Sequence, residues 1–143
     1  MTTGAASLTL HVRTALEAIG PASEQAEAWL AERQVPADAA FLVSLAIEEL
    51  VTNCMKYGYG DAKDHTVDVV LTVRAGALEI EAIDDGRAFN PLEQPSPDVS
   101  LAMKDRPIGG LGIHLLRELA DEAAYERRGG TNRLRLTKRI AGS

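Results

Sequence analysis

Residues 66–85, TVDVVLTVRAGALEIEAIDD, alternate apolar and polar side chains on both sides of Ala75-Gly76. A period of two residues puts every second side chain on the same face of a strand, so each half predicts a strand with one buried face. The two small residues between the halves predict a hairpin turn. The chain therefore needs other apolar elements to cover one face of a sheet.

Two stretches with helical periodicity can provide that cover. The first runs from Thr14 to about Gln34, and Gly20-Pro21 inside it predicts an interruption or a kink. The second opens at VPAD, residues 35–38, and continues to about Tyr57, where glycines end it. Its apolar stripe has the spacing of one helix face; the members are Val43, Ile47, Leu50, Val51 and Cys54.

The rest of the chain completes an α+β pattern. Residues 7–12 alternate as a strand, GGLGIHLLRELADE predicts a third helix, and AAYERR and NRLRLTKRI predict two strands around Gly129-Gly130. Residues 86–107 hold no period and contain four of the six prolines, so they predict a long loop, either disordered or functional as a lid, that extends to about residue 109. We expect one domain over residues 1–143, a two-layer sandwich of a mainly antiparallel mixed sheet with helices on one face.

Composition limits the classes of partner. The net charge is −6 and the sequence pI is about 5.0, which disfavours binding to bare nucleic acid. The single cysteine, Cys54, cannot form an internal disulfide. The N-terminus lacks the features of a signal peptide, and no window approaches the ~20 apolar residues of a membrane span. We expect a soluble, cytoplasmic protein with no membrane association.

Three polar positions share one line of the second predicted helix. Glu49, Asn53 and Lys56 are spaced i, i+4, i+7, roughly opposite the apolar stripe. A solvated face is the ordinary explanation of such a line, and the continuation of the line through Leu45 and Leu42 is the one detail that points to a covered face instead. A carboxylate can act as a general base, an amide oxygen suits Mg²⁺, and a lysine can contact phosphate oxygens.

The segment IDDGRAFNP, residues 83–91, follows a predicted strand directly. Asp-Gly is a common turn dipeptide, so an ordinary turn is one interpretation. In the other, Asp84 accepts a hydrogen bond from an exocyclic amine such as that of adenine, and Gly86 lets the backbone approach a ligand.

The segment RPIGGLGIHLLREL, residues 106–119, places glycines at the start of a predicted helix. Glycines there indicate either flexibility at the helix start or an anion site formed by backbone N–H groups. No Lys-Ser/Thr pair follows them, so the segment is not a Walker loop.

In this order, the three segments resemble the N, G1 and G2 boxes of the GHKL ATPase superfamily, over about residues 8–140. The resemblance implies ATP and Mg²⁺ as ligands. It implies Glu49 as general base, Asn53 as Mg²⁺ ligand and Asp84 as the acid that recognises adenine. The resemblance also implies five further ligand contacts, of which all but the glycine beside Asp84 are on the phosphate side. These are Lys56, Gly86, Arg106, Gly110 and Gly112.

At this length the chain is similar to the bacterial anti-sigma-factor serine/threonine kinases. That resemblance implies phosphorylation of a STAS-domain anti-anti-sigma partner, competition with a sigma factor, and the homodimers that family members often form. Two alternatives remain open from the sequence. One is a binding module with the same fold and no phosphoryl transfer, and the other is a histidine-kinase-like catalytic subunit acting in trans.

Overall fold

The computed structural model describes residues 5–61, 63–93 and 110–140. This part of the chain contains five strands and three α-helices, together with two short turns, one π-helical and one 3₁₀. The elements are β1 (Ala6–Arg13), α1 (Leu16–Glu32), α2 (Ala37–Asn53), a π-helical turn (Cys54–Gly58), β2 (Thr66–Arg74), β3 (Ala77–Asp84), a 3₁₀ turn (Pro91–Glu93), α3 (Gly110–Leu119), β4 (Glu122–Arg128) and β5 (Thr131–Arg139).

The strands form a single sheet in the order β1-β2-β3-β5-β4. Each of the four strand pairs in the described residues is antiparallel, so the mixed sheet allowed by the prediction is not found there. Strands β2 and β3 form one hairpin and β4 and β5 form another, so the strands of each pair run antiparallel. The two hairpins meet where β3 pairs with β5. In that register Asp84 lies opposite Asn132, which brings the end of β3 to the start of β5.

The core lies between the sheet and the helices. Leu42, Val43, Ile47 and Val51 of α2 are fully covered, and they meet the inward row of the sheet. That row contains Val67, Val69, Leu71, Leu78, Ile80, Leu134 and Leu136, each two residues from the next on its strand. The helical stripe and the strand alternation predicted from the sequence are thus confirmed, and so is the α+β class.

The boundaries differ from the prediction in three places. Helix α1 continues through Pro21, although Gly20-Pro21 predicted a break or a kink. The α-helical part of α2 ends at Asn53, and the next turn widens to a π-helix because the chain must then approach the end of β3. Helix α3 ends at Leu119, short of the predicted end, because residues 122–128 pair with β5. No helix in the described ranges is long and apolar enough to cross a membrane.

Candidate functional site

The polar line on α2 is not a solvated face. The Asn53 side chain is 6% exposed, and Glu49 is half-buried, although Lys56 on the π-helical turn is exposed. The Asn53 Nδ2 atom is buried with no hydrogen-bond partner in the described part of the chain. A buried amide nitrogen without a partner is costly, so a group outside the described residues, such as a water molecule or a ligand, is expected to accept from it.

Glu49 lies against the first turn of α3. A Cβ atom built on Gly112 would overlap the carboxyl group of Glu49, so any other residue here would require the Glu49 side chain to move. Burial raises the pKa of the Glu49 carboxyl above its ordinary value, and the neighbouring Glu48 raises it further, while Lys56 lowers it. The structure therefore brings Glu49 and Gly112 together, and it places Gly110 at the start of the same helix.

Asp84 ends β3 and points its side chain into a pocket between α2 and the sheet. Its Oδ1 atom accepts hydrogen bonds from the backbone N–H of Gly86 at 2.9 Å and from Asn132 Nδ2 at 3.0 Å. The pocket places Asp84 and Asn53 on one surface, with apolar and aromatic neighbours. Among its other lining residues are Leu50, Cys54, Val67, Ala82, Phe89 and Leu134.

Gly86 is held against the end of the π-helical turn. A Cβ atom on Gly86 would lie 2.6 Å from the carbonyl oxygen of Gly58, closer than real contacts allow. That same oxygen accepts the backbone N–H of Arg87 at 2.7 Å. The close approach of the two backbones therefore explains why residue 86 is a glycine. It also joins the segment after β3 to the end of the π-helical turn.

The single cysteine also lies beside Asp84. Burial is the largest cause that raises the pKa of the Cys54 thiol, and the nearby Asp84 carboxyl, to which the thiol is hydrogen-bonded, raises it further. A thiol kept protonated in this way is a poor nucleophile. Cys54 therefore lines the pocket as a buried thiol, as expected for a member of the apolar stripe of the second predicted helix.

Sequence reasoning missed Asn132 and Tyr125, which also line the pocket. Asn132 is 5% exposed and contacts both Asp84 and the segment that follows it. The Tyr125 hydroxyl donates a hydrogen bond to Asn132 Oδ1. One signal was available: Asn132, Leu134 and Leu136 share a strand face, so Asn132 is a polar residue in an inward-facing row.

The predicted phosphate contacts are only partly placed. Lys56 lies near enough to Glu49 to influence its charge, and its side chain is open to solvent. Arg106 lies outside the described residues, as does most of the predicted lid. The structure thus assembles Glu49, Asn53, Asp84, Gly86 and Gly112 around one region.

An antiparallel sheet covered by helices, with a strand-end carboxylate and a helix-borne amide in one pocket, agrees with the fold that the three sequence motifs imply. The chain belongs to the histidine kinase-like ATPase domain family, whose model matches residues 12–138. The GHKL resemblance of the three motifs is thereby confirmed.

Similar characterised proteins are kinases and anti-sigma factors. The chain is 26% identical over 101 residues to the serine/threonine-protein kinase BtrW of Bordetella bronchiseptica, covering 71% of each chain. It is 26% identical over 99 residues to an anti-sigma F factor of Thermoanaerobacter sp., covering 68% of each. It is also 26% identical over 105 residues to the serine-protein kinase RsbW of Bacillus subtilis, where the match covers 70% of this chain and 64% of that protein.

Solved structures with the same fold include the RsbU and RsbW domains of Rv1364c from Mycobacterium tuberculosis. That match has a TM-score of 0.67 at 20% identity, and it covers 94% of this chain but only 32% of the other. The SiaB-SiaC complex from Pseudomonas aeruginosa contains a second neighbour, with a TM-score of 0.56 at 18% identity and coverage of 93% and 89%.

Proposed function

We propose that this chain is an ATP-dependent serine/threonine protein kinase that acts as an anti-sigma factor and phosphorylates a STAS-domain anti-anti-sigma partner. The observation that carries the proposal is the placement of Asp84 and Asn53 in one pocket, with Glu49 on the same helix against the first turn of α3. The kinase and anti-sigma names of the relatives support the same direction.

Each residue has a role suited to its chemistry. Asp84 accepts a hydrogen bond from the exocyclic amine of adenine, because a carboxylate is an acceptor. The phosphates extend toward α3, where Gly112 and Gly110 belong to the first turn and backbone N–H groups favour anions. Lys56 and Arg106 are the side chains proposed to contact phosphate oxygens.

The residues present fit a magnesium ion. Mg²⁺ takes oxygen ligands and keeps most of its positions for water and substrate phosphates, so a single amide oxygen from the protein is enough. Asn53 is the proposed ligand through its amide oxygen Oδ1, whereas its unsatisfied Nδ2 atom beside the pocket is a donor that suits a phosphate oxygen or a water molecule. When bound, the ion would neutralise charge on the phosphates.

Glu49 is the proposed general base. Its carboxylate orients the hydroxyl of the acceptor serine and takes its proton as the serine oxygen bonds to the γ-phosphorus of ATP and the bond from that phosphorus to the bridging oxygen breaks, which releases ADP. A raised pKa makes this carboxylate a better proton acceptor than an ordinary glutamate, provided that it is ionised at the working pH.

The test is incubation with γ-labelled ATP, Mg²⁺ and a candidate STAS-domain protein, followed by acid treatment of the product. A kinase of this class leaves an acid-stable label on a serine or threonine of the partner. An acid-labile label would assign the chain to histidine phosphorylation in trans. Nucleotide binding with no transfer to any partner tried would favour a binding module.

A further inference from the structure

We infer that Asn132, oriented by the Tyr125 hydroxyl, is the positioning residue that aims Asp84 at the base and thereby sets the preference for adenine. The inference rests on the proposed function, since it concerns how the nucleotide is recognised. Asn132 belongs to β5 and Tyr125 to β4, so neither lies in the three motifs that indicate nucleotide binding.

Two backbone groups determine the orientation of the Asn132 amide. The Phe89 N–H can only donate, and it meets Oδ1 at 3.2 Å. The Arg87 carbonyl can only accept, and it meets Nδ2 at 2.7 Å. A rotated amide would break both hydrogen bonds, so Nδ2 must be the atom that faces Asp84.

The Tyr125 hydroxyl completes the arrangement. It donates to Asn132 Oδ1, which therefore accepts two hydrogen bonds, while Nδ2 donates two. All four hydrogen-bonding positions of the amide are used, as expected for a fixed buried polar group. The amide cannot turn without losing several hydrogen bonds at once.

Asn132 influences the recognition of the base through its hydrogen bond to Asp84. Its Oδ1 atom already accepts from Gly86 N and Asn132 Nδ2, and the carboxyl is also hydrogen-bonded to the Cys54 thiol, so these contacts hold its orientation and leave few directions in which it can accept from a ligand. An acceptor held in this direction favours a base that presents an amine and disfavours one that presents a carbonyl oxygen. Asn132 also holds Arg87 and Phe89, so it fixes the course of the segment after Asp84.

The experiment compares the dissociation constants of ATP and of purine riboside triphosphate, which lacks the exocyclic amine. The full chain is titrated with each nucleotide in the presence of Mg²⁺. For the parent we expect ATP to bind about 10- to 100-fold more tightly, the range for a hydrogen bond to a charged acceptor. In Asn132→Leu the ratio should fall below about threefold, and in Tyr125→Phe it should fall by about threefold or more, since one hydrogen bond that orients the amide is lost.

Leu136→Ala is the matched control, because Leu136 is a buried residue on the same face of β5 outside the pocket lining. It lowers stability without touching Asp84, so its ratio should equal that of the parent. If Asn132→Leu does not fold, Tyr125→Phe decides, since it removes a single oxygen.

Variants that bind ATP and keep the parent ratio would overturn the role of Asn132 while leaving the proposed function intact. A folded parent that binds neither nucleotide would overturn both proposals.

Discussion

Asn53 and Asn132 are buried to the same degree, 6% and 5% exposed, and both line the same pocket, yet their surroundings are opposite. Asn132 uses all four hydrogen-bonding positions of its amide, whereas Asn53 has a buried nitrogen with no partner in the described residues. The difference divides the pocket into two sides. On the side of Asn132 and Asp84 the polar groups are paired with one another, and on the side of Asn53, one helical turn from Glu49, an amide nitrogen lacks a partner among the described residues.

The largest effect should come from Glu49, the carboxylate proposed as general base. Glu49→Ala should lower phosphoryl transfer by about 10²- to 10⁴-fold, the range for general base catalysis, while nucleotide binding is retained. Transfer is measured as label incorporated into the partner, and binding by titration. Glu48→Ala is the matched control, because Glu48 is the adjacent carboxylate and is exposed. Equal transfer rates in the two variants would remove Glu49 from the mechanism.

The two asparagines should respond differently to the same truncation. Asn132→Ala should lower the free energy of unfolding by about 2–4 kcal/mol, because several hydrogen bonds are lost and buried partners remain unsatisfied. Asn53→Ala should change it by less than about 1 kcal/mol, or raise it, because an unsatisfied buried N–H is removed. Denaturant unfolding without nucleotide measures both. Equal losses would show that the two sides of the pocket do not differ in this way.

Two helical glycines test the contact between α2 and α3. Gly112→Ala would place a Cβ on the Glu49 carboxyl group, so this flexible side chain must turn away; transfer should fall, while stability should change by less than about 1 kcal/mol. Gly20→Ala in α1 meets nothing within 4 Å and should stabilise the protein by about 0.5–1 kcal/mol. Thermal unfolding of both variants is the measurement. A stable, active Gly112→Ala variant would mean that Glu49 does not need its observed position.

The smallest effect concerns the charge of Glu49. Its pKa is raised in the folded state, so the stability it contributes is greatest below the ordinary glutamate pKa and is lost as the pH rises through the folded value. The free energy of unfolding of Glu49→Gln should therefore exceed that of the parent near neutral pH, by less than about 1 kcal/mol for a half-buried group. This difference should vanish in acid. Glu24→Gln, on the exposed surface of α1, should show no such gain. A gain that is the same at every pH would rule out the charge as its cause.

The sequence predicted the layers, and it predicted that Glu49 and Asn53 share one line of α2. Alternation in β2 and β3 and the stripe on α2 depend on neighbouring residues, and so does the shared line of Glu49 and Asn53. The position of Asn132 opposite Asp84 depends instead on the pairing of β3 with β5, residues far apart along the chain. Local periodicity carries no information on that register. The π-helical turn was missed for a similar reason, since the need to meet Gly86 is a tertiary constraint.

The most direct test of the central claim is calorimetric titration of ATP, with Mg²⁺ and with a chelator, into the parent and into Asn53→Ala. Thr52→Ala is the matched control, because the Thr52 hydroxyl donates to the Glu48 carbonyl of its own helix and takes no part in the pocket lining. The account predicts that the parent and Thr52→Ala bind ATP more tightly with Mg²⁺ than without it, and that Asn53→Ala loses this difference. An Asn53→Ala variant that binds ATP with the Mg²⁺ dependence of the parent would contradict it.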